Sequence, residues 1–115
     1  MKIFLDDKKT APDGWVLVTC AEDLLKLYKE QQGKVTAVSF DVDLGPCQTS
    51  GFGAASWVHK LLVANPSWPI PEMYCHSDSW MGRVSFKGAI EDFYDDFKTQ
   101  GRAIPELAES AHKYM

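Results

Sequence analysis

The chain has 115 residues, 45% hydrophobic and 24% charged, enough for one buried core and unlike a disordered composition. A net charge of −4 offers no general polyanion-binding face, so duplex DNA held by backbone neutralisation is not expected. No apolar run approaches membrane-spanning length and the start is too short in apolar residues for a signal peptide. The expectation is one cytoplasmic domain over residues 1–115.

Lys2 to Leu5 reads as a first strand, running into Asp6 and Asp7. Thr10 to Gly14 is turn chemistry, and Trp15 to Val18 reads as a second short strand. Thr19 with Glu22 has capping-box spacing and predicts a helix to about Gln31, with Ala21, Leu25 and Tyr28 on its apolar face and Gly33 as its stop. Val35 to Phe40 is nearly all apolar, as a strand covered on both faces should be, and runs into Asp41-Val42-Asp43.

A polar loop from Leu44 to Ser50 precedes a helix whose stripe is Ala54, Trp57, Val58, Leu61 and Leu62. The proline-rich stretch from Asn65 breaks it and leads to a strand ending at Cys75, followed by His76-Ser77. A further helix carries Phe86, Ala89, Ile90, Phe93 and Phe97 and ends near Gly101. Pro105 sits where proline favours a first helical turn, so residues 104–115 are expected to form a C-terminal helix. Cys20, Cys47 and Cys75 are odd in number and lack paired zinc spacing, which predicts free thiols.

Strands alternating with helices imply an α/β fold with a parallel sheet and right-handed crossovers, here in order 2-1-3-4. The polar residues that end the runs then share one sheet edge, where ligands bind in open α/β sheets. Asp6, Asp7, Asp41 and Asp43 crowded there would repel one another without a divalent cation, and all-oxygen donors suit magnesium (or manganese) together with a phosphate. Consecutive strand residues point to opposite sides, so Asp6 and Asp7 are not expected to face the same space. Asp41 is the central acid, either a metal ligand or a nucleophile, while Asp43 is equally suited to hydrogen-bonding loop amides.

His76 is the imidazole placed for proton transfer, with Ser77, Arg83 and Lys9 as phosphate contacts. Trp80 has two readings, a loop anchor or a stacking surface for a base. His59 and His112 fall off the apolar stripes and read as surface residues. Any one of these features has an ordinary explanation, since aspartates commonly end strands. Three such strand ends in one chain favour a site.

Aspartates ending the first and third strands and a hydroxyl near the end of the fourth resemble the receiver domains of response regulators. The resemblance is closer to cyclic-phosphate processing receiver domains. It rests on Leu5-Asp6-Asp7-Lys8-Lys9 with Pro12, on Ser39-Phe40-Asp41-Val42-Asp43-Leu44-Gly45, on Ser50-Gly51-Phe52, and on His76-Ser77 with Gly82-Arg83. It implies a receiver-like (flavodoxin-like) three-layer sandwich with a reduced sheet of about four strands. It also implies a magnesium-dependent phosphoesterase whose partner is a phosphate-bearing small molecule or an RNA terminus bearing a cyclic phosphate.

Two positions depart from the family pattern: Val42 replaces a histidine and Lys9 an arginine. No fifth strand brings the lysine of a phosphoaccepting receiver, which argues against two-component signalling. Two other readings stand beside the enzyme. One is a catalytically weak module that binds a nucleotide or docks on a protein. The other takes Phe40-Asp41-Val42-Asp43 as the aspartyl-nucleophile signature of haloacid-dehalogenase-type phosphatases, although that family carries it on a different strand.

Overall fold

A computed structural model describes residues 1–44 and 49–105. Strands β1 (Lys2–Leu5), β2 (Trp15–Val18), β3 (Ala37–Phe40) and β4 (Glu72–Cys75) form one sheet in the order β2-β1-β3-β4, all pairs parallel. Helices α1 (Ala21–Glu30), α2 (Gly51–Ala64) and α3 (Trp80–Thr99) alternate with the later strands. This is the α/β, receiver-like arrangement expected from the sequence.

The pairing register positions the site. Leu5 stands opposite both Val18 and Phe40, and Phe40 opposite Cys75, so all four strands stop at one level. The ladder runs one step further, with the amides of Asp6, Asp41 and His76 donating to the carbonyls of Val18, Leu5 and Phe40 at 3.0, 3.0 and 3.1 Å. Three polar residues therefore leave the sheet side by side.

Strand alternation divides the apolar residues between two faces. Ile3, Leu5, Val38, Phe40, Met73 and Cys75 join the buried residues of all three helices in one core. The opposite face carries Phe4, whose ring meets Trp15 edge-on at 6.3 Å between centroids, while Trp15 meets Tyr74 at 6.0 Å. In α1 the deeply buried residues are Ala21, Leu24 and Tyr28, with Leu25 only half-buried. In α3 Tyr94 joins Phe86, Ile90 and Phe97, and its hydroxyl donates to the Pro71 carbonyl at 2.8 Å.

Helix α1 starts at Ala21, with Cys20 at the N-cap position and no capping hydrogen bond from the Cys20 side chain. Ser50 and Ser79 do cap α2 and α3, accepting from the amides of Gly53 and Gly82 at 3.2 and 3.1 Å. At the far end Arg102 ties α3 to α2, donating to the carbonyls of Leu62 and Trp68 at 2.6 and 2.7 Å. Cys75 is a free, buried thiol. Cys20 is instead disulfide-bonded, which corrects the expectation of a free thiol there. Cys47 and residues 106–115, where most of the expected C-terminal helix falls, lie outside the described residues. Among the described residues no helix is long and apolar enough to cross a membrane.

Candidate functional site

Asp6 begins the turn after β1. One of its oxygens, Oδ1, accepts from the amides of Lys8 and Lys9 at 2.8 and 2.9 Å. The other, Oδ2, lies 2.9 Å from His76 Nε2, and the residue is 1% exposed. Burial pushes this carboxyl up, but the two amides and His76 together outweigh it, and Asp6 ionises below the usual range.

Because β1 stops at Leu5, alternation no longer governs Asp6 and Asp7. The turn brings both to the same place, contrary to the expectation that they face apart. Asp6, Asp7 and Asp41 each bring an oxygen to a point where all three lie within 4.8 Å of one another. The Oδ1 atom of Asp7 is buried without a hydrogen-bond partner. Asp41 is pushed up to about 6, by burial first and then by the charges of Asp6 and Asp7, with Lys9 offsetting part of this.

These observations meet the requirements of a hard divalent cation. The donors are all carboxylate oxygens, one has no hydrogen-bond partner, and Asp41 resists ionisation because of burial and then the neighbouring charges of Asp6 and Asp7. Asp6, Asp7 and Asp41 are thus the residues that could hold magnesium or manganese. Asp43 is exposed and lines the same cleft.

His76 is almost wholly enclosed, at 1% exposure. Its Nδ1 lies 2.7 Å from Ser39 Oγ, its Nε2 faces Asp6, and its ring stacks on Phe4 with centroids 4.0 Å apart. Burial pushes the imidazole below its ordinary value, with Asp6 pulling the other way. A neutral ring satisfies every polar atom: the Ser39 hydroxyl donates to Nδ1, and Nε2–H donates to the Asp6 carboxylate. His76 therefore reaches the cleft only through Asp6. Ser39 was missed from the sequence, although one hydroxyl in an otherwise apolar strand was the available signal.

A cleft of about 250 Å³ lies over these groups, lined by Asp6, Lys8, Lys9, Asp41, Asp43, Ser77, Asp78 and Ser79. Lys9 is paired with Asp78 at 2.7 Å across its mouth. Ser77 Oγ accepts from the Ser79 amide at 3.2 Å. Arg83 is not part of this lining: its guanidinium donates to the Ser77 carbonyl at 2.6 Å and so braces the loop after β4. Val42 is half-buried and packs against the core. A groove of about 230 Å³ between α1 and α2, lined by Leu25, Lys29, Trp57, Lys60 and Leu61, contains no acid–base cluster.

A parallel sheet in order 2-1-3-4, with carboxylates converging beyond β1 and β3, defines a receiver-type domain. The family model for the cyclic-phosphate processing receiver domain matches residues 1–92, every strand and the whole cleft included. The chain belongs to that family. No curated protein and no solved structure matches it.

Proposed function

We propose that this domain is a magnesium-dependent (or manganese-dependent) phosphoesterase that opens a cyclic phosphate on a nucleotide or an RNA end. The observation that carries the reading is the convergence of Asp6, Asp7 and Asp41 within 4.8 Å at a cleft of about 250 Å³ lined by charged and hydroxyl side chains. Magnesium, when bound, supplies positive charge against the carboxylates and the phosphate oxygens.

The chain's own groups divide the remaining work. Ser77 and Lys9 line the cleft and hold phosphate oxygens, Lys9 exchanging Asp78 for the ligand. His76 holds Asp6 in orientation and, after the amides of Lys9 and Lys8, helps to keep it ionised. Opening the ring needs a proton for the leaving oxygen and a base for water. Asp41 and Asp43 both line the cleft, Asp43 the more exposed of the two, and they are the carboxylates assigned to these roles.

Hydrolysis of 2′,3′-cyclic nucleotides with magnesium or with a chelator tests this. Product should form only with the metal, and Asp41→Asn should abolish it. Equal turnover in the chelator, or none from the intact protein with either metal, would defeat the reading. A binding module is the second reading. Val42 stands where the family has an imidazole, and both ring nitrogens of His76 are already engaged within the protein. Calorimetric binding of nucleoside phosphates without turnover would establish it.

A further inference from the structure

The first turn of α3 presents an apolar patch beside a cleft that is otherwise acidic and polar. Trp80 is 65% exposed, Met81 63% and Val84 43%. Asp78 and Ser79, the two residues before Trp80, both line the cleft. Ser79 caps this turn, and a Cβ added at Gly82 would lie a tight 3.2 Å from Ser77 Oγ.

The other tryptophans have structural work. Trp15 meets Phe4 and Tyr74, Trp68 tilts against Tyr28, and Trp57 packs on the core. Trp80 is instead left mostly in solvent, and among the described residues no aromatic ring packs on it. A large aromatic left in water directly after two residues that line a cleft is more readily explained by what the cleft binds than by folding.

Charge narrows the occupant. The chain carries −4 overall, and the two lysines on the cleft, Lys8 and Lys9, are outnumbered by its aspartates, so no extended basic surface supplies affinity for a nucleic-acid ligand. Stacking does not depend on charge, and every base has a π-face to offer. We propose that Trp80 is a stacking platform for the base of the bound ligand. It makes the cleft selective for a phosphate carried on a nucleoside over one carried on a base-free sugar. This assignment rests on the phosphate cleft proposed above and adds to it a specificity-determining residue.

The test is calorimetric binding, in magnesium, of adenosine 3′-monophosphate, ribose 3-phosphate and a short RNA ending in a 3′-phosphate. These ligands carry no cyclic ester to be consumed. The intact protein should bind the adenosine compound about 5- to 100-fold more tightly than the base-free sugar. Trp80→Ala should erase that preference with an unchanged melting temperature, and Trp80→Phe should keep most of it. A Trp80-dependent gain for the RNA over the mononucleotide assigns the source to an RNA end; equal gains assign it to a free nucleotide. Equal binding of base-bearing and base-free phosphates overturns the role of Trp80 and leaves the cleft reading standing. A preference that survives Trp80→Ala also overturns it, and leaves the patch as a protein-docking surface. Failure to bind any of the three overturns both proposals together.

Discussion

His76 spans two buried partners, the Ser39 hydroxyl at 2.7 Å and the Asp6 carboxylate at 2.9 Å, with Phe4 stacked on the ring. Removing the ring strands an ionised oxygen and a hydroxyl in places water does not reach, which costs more than the bonds themselves contribute. His76→Ala is expected to destabilise the fold by about 2–4 kcal/mol and Ser39→Ala by about 1 kcal/mol. Because the ring orients a proposed metal ligand, His76→Ala should also weaken magnesium binding about 10-fold. Urea denaturation and calorimetry check the pair, and a larger loss from Ser39→Ala would refute the order. The sequence placed His76 at a strand end, but its direction was hidden. The partners lie 37 and 70 positions away along the chain, so no local pattern announces them.

At the scale of elements, strand limits were the most legible feature. Lys2–Leu5 and Trp15–Val18 are bounded by turn residues whose backbone preferences are local. Helix faces were read less well: Leu24 lies deeper than Leu25, and Tyr94 is buried as fully as its neighbours. Both depend on the tilt of each helix on the sheet, which a 3.6-residue period does not specify. The start of α2 shows a tighter constraint. The Gly51 amide donates to the Val42 carbonyl at 3.0 Å, and a Cβ on Gly51 would fall 1.9 Å from the Asp41 carbonyl oxygen. Glycine is needed here for close approach. Gly51→Ala must push α2 away from the end of β3, with an expected loss of about 1–3 kcal/mol and displacement of Asp41 from the acidic trio. Thermal melting and a magnesium titration should both register it; an unchanged magnesium affinity would show that the contact does not position Asp41.

The whole molecule sets the electrostatics, because the acidic trio exists only once β1 and β3 pair in the observed register. The strand order was legible since the alternating elements and a right-handed crossover leave few arrangements. The convergence of Asp6 with Asp7 was not, because it depends on a turn held by the amides of Lys8 and Lys9. Folding raises Asp41 from 3.8 to about 6. Between those values the native state holds more protons than the unfolded chain, so this group makes stability fall as pH rises, and the full penalty is present above pH 6. His76 acts in the opposite sense, its lowered value costing stability as pH falls below its ordinary range. Subtracting one melting profile from another separates the two. In chelator, Asp41→Asn should match the unaltered protein near pH 4, gain on it through about pH 6, and hold a lead of roughly 5 °C at pH 7. Magnesium at about 100 times its dissociation constant should then stabilise the unaltered protein by about 2.7 kcal/mol and the variant far less, reversing their order. A variant that never leads in chelator, or that gains as much from magnesium, would show that the three carboxylates do not act as one cation site.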